Sequence, residues 1–160
     1  MRVVQKPQGI MPNGRPVGAR QFALECKQWA EKLVPEAHVA FVQKIALTLL
    51  NKVTLKSPVD TGRFRANWMV GIGSSDETIT DETDNAAVEK GQQKLASLAF
   101  GIPVHISNNL PYAGILENGG YPLKPKGGEG KTVNGFSTQA PQGMLAISIE
   151  EVEAFLKRQT

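Results

Sequence analysis

Apolar residues at helical spacing run from Val39 through Val42, Ile45, Ala46, Leu49 and Val53, with Phe41 and Leu50 widening the stripe, and stop at Ser57-Pro58. Spacings of three and four sustained for about five turns predict one long amphipathic helix with a buried face. Pro58 biases the residue before it away from the right-handed helical region, so the helix has to end at Ser57. Asp60 and Thr61 carry side-chain oxygens that can accept hydrogen bonds from the free amides of a new turn. Gly62 can take a backbone angle that other residues resist. Pro58, Asp60, Thr61 and Gly62 therefore predict a structural turn, after which Phe64 and Trp68 anchor a short helical segment to the core. The alternation from Trp68 to Gly73 predicts a strand. None of these residues is catalytic in this reading.

On the N-terminal side, residues 1–18 hold Pro7, Pro12 and Pro16, three glycines and no helical period, which predicts an extended arm. From Ala19 the residues Phe22, Cys26, Trp29 and Leu33 share a helical face, and Pro35 is expected to open the next helix. His38, near the start of that helix, is expected at its surface. On the C-terminal side, residues 74–84 carry five acids and no base, the pattern of a solvated loop. Residues 85–98 then read as a helix with Asp84 as its N-cap, Val88, Leu95 and Leu98 on one side, and Gly91 as a weakness of about 1 kcal/mol. Residues 103–108 predict a strand able to pair with the one near 68–73. Asn108-Asn109-Leu110-Pro111 is turn chemistry, and Tyr112–Gly119 a short helix closed by glycine. Residues 119–140 are rich in glycine and carry Lys124, Lys126 and Lys131, and predict a long loop that serves as an arm. A last amphipathic helix follows from near Pro141, with Met144, Ile147, Ile149, Val152, Phe155 and Leu156 on its apolar side. The expected organisation is an arm over 1–18 and a single α+β domain over 19–160. In it, a long helix packs on a small, mainly antiparallel sheet with a C-terminal helix.

Composition narrows the function classes. An apolar fraction of 41% and a charged fraction of 21% are ordinary for a soluble globular chain. A net charge of +3 is too mild to imply nucleic-acid binding. One cysteine, Cys26, excludes an intramolecular disulfide and suits a reducing cytoplasm. No uninterrupted apolar run reaches the roughly 18 residues of a membrane span, and no signal-peptide core stands at the N-terminus. No membrane partner is expected.

Gly-Gly-Glu-Gly-Lys-Thr at 127–132 lacks the first glycine of a phosphate loop, since Pro125 stands in its place. The acidic run lacks the central glycine and terminal glutamate of a calcium loop. Two histidines, His38 and His105, and one cysteine give no zinc spacing. Cys26 sits among core-facing positions, where thiols are inert. Asp60 and Glu117 could supply a carboxylate pair, but each has a sufficient structural role, as a cap and in the last turn of a short helix. The sequence predicts no enzyme, no cofactor and no metal.

Two stretches carry a resemblance: Ser-Pro-Val-Asp-Thr-Gly-Arg-Phe-Arg-Ala-Asn-Trp at 57–68, and Ile-Ser-Asn-Asn-Leu-Pro-Tyr-Ala-Gly-Ile-Leu-Glu-Asn-Gly-Gly at 106–120. In their order and wording they resemble the neck and tail-completion (minor tail component) proteins of tailed bacteriophages. Arg63, Trp68, Asn108, Tyr112, Ala113, Glu117 and Gly119 are the residues that match. The order of elements agrees over residues 36–158. Ala140-Pro141-Gln142-Gly143-Met144-Leu145 stands where that family opens its last helix with a Pro-Phe-Leu-like segment, a looser correspondence. The resemblance implies a structural virion protein, assembled in the host cytoplasm. It implies a ring, expected to be a hexamer, at the head–tail neck, between the tail-tube protein and the head-closure or connector proteins. DNA would pass through the ring as cargo only. Contacts with these partners or with neighbouring copies are expected from Arg15, Tyr121, Lys124, Lys126, Lys131 and Phe136. Two other classes remain open in the sequence. A nucleic-acid-binding module would bring Lys124, Lys126, Lys131 and Arg15 or Arg20 onto one face. An enzyme would have a deep pocket lined by Asp60, His105 and Glu117.

Overall fold

The structure, a computed structural model, describes residues 7, 9, 18–120 and 132–158. Its fold is α+β. Helix α1 (Ala19–Gln28) passes through one π-helical segment, Trp29–Leu33, directly into α2 (Val34–Lys56). After the turn at 57–62 come α3 (Arg63–Ala66), β1 (Met69–Ile72), α4 (Ala87–Leu95), β2 (Val104–Ser107) and α5 (Ala113–Asn118). Past residue 131 lie β3 (Thr132–Val133), β4 (Phe136–Ser137) and α6 (Leu145–Lys157). The chain divides into two compact units, Met1–Val42 with Ala99–Gly101, and Gln43–Leu98 with Ile102–Thr160.

In the first unit Pro35 does not begin a new helix as expected; it lies in the first turn of α2 within a continuous helical run. A proline ring collides with the carbonyl four residues earlier in a regular α-helix. The widened π-turn lies immediately upstream and changes that spacing. The face expected to be buried is not: no residue of α1 is buried, Phe22 is exposed, and Cys26, Trp29 and Leu33 are half-buried rather than core. His38, exposed as expected, meets the ring of Phe100 edge-on at 5.0 Å. The helical run Ala19–Lys56 contains an 18-residue window of mean hydropathy 1.3, long and apolar enough by length and composition to cross a membrane. Only 11% of that window is buried within the chain. The expectation from uninterrupted runs missed this window because Glu36, His38, Gln43 and Lys44 break the runs without removing the average.

The second unit holds the core, in which Leu50 and Val53 of α2 meet Trp68, Val70, Leu95, Leu116 and Met144. The buried residues of α2 are Ala46, Leu50, Val53 and Thr54, of which the first three belong to the expected stripe, while Phe41 of that stripe is exposed. Strands β1 and β2 pair antiparallel as expected, with Val70 opposite Ile106 and Gly71 opposite His105. Helix α4 crosses β1, and Gly91 makes the crossing possible. A Cβ there would lie 2.3 Å from Leu50 Cδ2 and 3.0 Å from Val70 Cγ2. What composition reads as a weak helix position is a contact point between helix, strand and helix.

Two further expectations are corrected. Part of the segment read as a loop over 119–140 is a hairpin: β3 and β4 pair with Thr132 opposite Ser137. They are joined by Asn134-Gly135 with both φ values positive, 52° and 84°. This is the dipeptide a two-residue hairpin turn favours. Helix α6 buries Ser148 and Val152, whereas Ile149 and Phe155, assigned to its apolar side, are exposed.

Candidate functional site

The two stretches that carry the resemblance fold against each other, and their polar side chains are spent on main-chain groups. Ser57 closes α2: its hydroxyl donates to Val53 O at 2.6 Å and accepts from Trp68 Nε1 at 2.8 Å, all of it buried. Arg65 reaches back to the same helix end, donating to Ser57 O at 3.0 Å and Leu55 O at 3.1 Å. A guanidinium on the last free carbonyls of a helix satisfies groups that have no partner within it and suits the negative end of its dipole. Asn108 donates to Phe64 O at 2.9 Å, and Phe64 packs its ring between Trp68 and Tyr112 at 6.0 and 5.9 Å.

Gly62 stands at the start of α3 with φ 92°, and a Cβ there would meet Thr83 O at 2.3 Å. Glycine is thus required twice, by angle and by space. Thr61 Oγ1 accepts from the Arg63 amide at 3.3 Å, the capping contact expected of this turn. Asp60 is exposed beside it.

The acidic segment at 74–84 is the loop expected and is mostly exposed, but side chains from outside it pin it at two places. Asn67, fully buried, donates to Thr80 O at 2.9 Å and accepts from the Thr80 amide at 2.8 Å, a side chain pairing like a strand. Ser107 Oγ and Asn109 Nδ2 both donate to Asp76 O, at 2.9 and 2.7 Å. Three acids are paired: Asp76 with Lys94 at 2.6 Å, Asp81 with Arg63 at 2.7 Å, and Glu82 with Lys90. The Lys94 ammonium, with help from the Thr78 hydroxyl and amide, holds the Asp76 carboxyl at about 2 against an ordinary 3.8. Among the described residues no three His, Cys, Asp or Glu side chains are grouped to hold a metal ion.

Glu117 has a role that its position in a short helix did not disclose. Its carboxylate accepts from the amides of Met144 at 2.8 Å, Leu145 at 2.9 Å and Ala146 at 2.9 Å, the free donors at the start of α6. No side chain of α6 itself caps this end. Gly143 lets the chain pass, since a Cβ there would lie 2.4 Å from Glu117 O. Gly119 ends α5 with φ 71° and lies against the Phe136 ring, where a Cβ would be 2.8 Å from Cε2. Phe136, expected at a partner contact, is therefore half-buried on its own chain. Ala113 and Tyr112 pack on the core. Arg15, Tyr121, Lys124, Lys126 and Lys131 lie outside the described residues.

Beside the turn opens a cleft of about 650 Å³, lined by Pro58, Val59, Thr61, Arg63, Tyr112 and Gln139 among others. Gln139 bridges its rim, accepting from the Val59 amide at 2.7 Å and donating to Val59 O at 3.0 Å. Asp60 lines this cleft, but His105 and Glu117 do not. The three groups that an enzyme reading would need together are not brought together. Sequence reading missed Ser57, Arg65, Asn67 and Gln139 as determinants of this region. All but Gln139 fall inside the quoted stretch, but their partners are main-chain atoms that no side-chain motif announces.

The chain matches no protein-family model, no curated protein and no solved structure.

Proposed function

We propose that this protein is a structural subunit of a tailed-phage neck, a tail-completion or tail-terminator protein. It forms a ring between tail tube and head connector. The observation that supports the reading best is the meeting of the two worded stretches. Residues 57–68 and 106–120 make one joint, through Asn108 on Phe64 O and the Phe64–Tyr112 contact. Of the side chains that match the family's wording, Asn108 and Glu117 bond to main-chain groups and Tyr112 packs on Phe64, so they serve to build the scaffold.

Two further features favour an assembling subunit. Apolar side chains stand exposed along the α1–α2 run, including Phe22, Leu24 and Phe41, and exposed apolar groups on a scaffold suit contact with other protein. A ring is closed by a heterologous contact repeated around an axis, so one subunit needs two different surfaces. Electron microscopy of the protein mixed with tail tubes tests the reading. Rings seated on tube ends are the expected result; bare ends with dispersed protein would refute it.

A further inference from the structure

The segment at 74–84 adheres to the second unit through polar groups. Ile79, its one large apolar side chain, is exposed, and only Asp76 and Thr80 are half-buried. Those two are the pinned positions: Asn67 and Arg63 donate to Thr80 O, and Ser107 and Asn109 donate to Asp76 O. Such bonds are exchanged for bonds to water when a segment lifts, so the net cost of opening each is modest. A segment with few buried apolar contacts opens ahead of a core held by apolar burial.

Against this segment lies a cavity of about 280 Å³. Its apolar lining includes Ala66, Trp68, Val70 and Ala87, all buried. The charged side chains around it are Asp76 and Glu82 of the segment and Lys90 and Lys94 of α4. They pair with one another, Lys94 with Asp76 at 2.6 Å and Lys90 with Glu82. The two lysines are one helical turn apart and share a face, so both pairs join the same side of α4 to the segment. Each end of the segment is seated on a glycine. A Cβ at Gly71 would lie 2.0 Å from Ser74 O, and one at Gly62 would lie 2.3 Å from Thr83 O. The ends are thus close against other residues, and the movable part is the span between them.

We propose that residues 74–84 form a gate: a polar strap, latched to α4 by two ion pairs, that lifts without unfolding of the core and opens the cavity beneath it to solvent. The closed state is the arrangement described above. Exposed ion pairs are individually weak and are screened by salt, so the latch loosens as ionic strength rises. Access to the apolar lining is therefore set by ionic conditions and by the two lysines of α4. The gate does not depend on the neck reading.

The experiment uses the full chain with Cys26→Ala and one buried thiol introduced, either in the cavity by Ala66→Cys or in the core outside it by Val53→Cys. Circular dichroism checks that each variant folds. Labelling with a neutral thiosulfonate reagent then reports opening at each position. The thiol of Ala66→Cys should react about tenfold or more faster than that of Val53→Cys, yet far more slowly than in the unfolded chain. Its rate should be nearly flat in low urea, because lifting a strap exposes little surface, whereas the Val53→Cys rate should climb steeply. Raising NaCl from about 50 mM to about 1 M should speed labelling of Ala66→Cys about three- to tenfold, and adding Lys90→Met and Lys94→Met should do so at low salt. In the unaltered chain, the Thr80 amide, which donates to Asn67, should exchange with the same weak urea dependence. Labelling of Ala66→Cys that follows Val53→Cys in rate and urea dependence overturns the proposal, because the cavity then opens only on global unfolding. So does labelling as fast as in the unfolded chain, which means no closed gate. A rate indifferent to salt and to both lysine replacements also overturns it, as does a Thr80 amide whose exchange has the urea dependence of the core.

Discussion

Glu117 holds the start of α6 from the end of α5: its carboxylate accepts the Met144 amide at 2.8 Å and those of Leu145 and Ala146 at 2.9 Å. A charged acceptor on three otherwise free donors contributes more than one neutral hydrogen bond, and it also faces the positive end of the helix dipole. Glu117→Ala should cost about 3 kcal/mol in urea unfolding, and Glu117→Gln about half of that, since one carbonyl oxygen remains to accept.

Glycine-to-alanine changes should have opposite signs at two helical positions. At Gly91 the added methyl collides with Leu50 and Val70, so Gly91→Ala should destabilise by about 1–3 kcal/mol despite alanine's better helix propensity. At Gly114 in α5 nothing lies within 4 Å of the added Cβ, and Gly114→Ala should stabilise by about 0.5–1 kcal/mol. Thermal melts of the two variants beside wild type check both signs in one experiment.

Asn67 is the hinge pin of the acidic segment. Asn67→Ala removes the partner of the half-buried Thr80 amide and leaves the Thr80 carbonyl only its 3.3 Å bond from Arg63 Nε, and should cost about 2 kcal/mol. Hydrogen exchange at Thr80 should rise with it while exchange in α2 changes less. Equal acceleration throughout would mean that the segment is not a separable strap.

Asp76 gives the acid response. Its folded carboxyl titrates at about 2, chiefly because Lys94 donates to it, below the ordinary 3.8. The unfolded state therefore takes up the proton first as pH falls. Stability from this pair is fully present above pH 3.8 and drains away as pH falls towards 2. Lys94→Met should remove most of that contribution. Its urea midpoint should fall less between pH 4 and pH 2 than the wild type's does.

Element order was legible in the sequence where period or punctuation was strong. The spacing of Val39 to Val53 and the Pro58 stop place α2 and its end, and the alternations at 68–73 and 103–108 place the β1–β2 pair. Local chemistry could mislead where tertiary contact decides. Pro35 reads as a helix start, but the π-turn before it absorbs the ring. Gly91 reads as a weakness, but its missing side chain admits Leu50. The acids at 76–84 read as a solvated loop, which they form, but their pairing was hidden because the bases, Arg63, Lys90 and Lys94, stand outside the run. Asn134-Gly135 was legible as a hairpin turn, but the glycine count around it pointed to a loop. The site residues were legible as wording, not as roles. Ser57, Arg65, Asn67 and Glu117 bond to main-chain atoms distant in sequence or hidden at a helix end, and no spacing encodes that.

The most direct test of the neck reading is the solution mass of the purified protein mixed with tail-tube and head-connector proteins of a tailed phage. The account predicts a closed ring, expected at six copies, that forms with a partner and binds it. A protein that remains a monomer or dimer in the presence of both partners would contradict it.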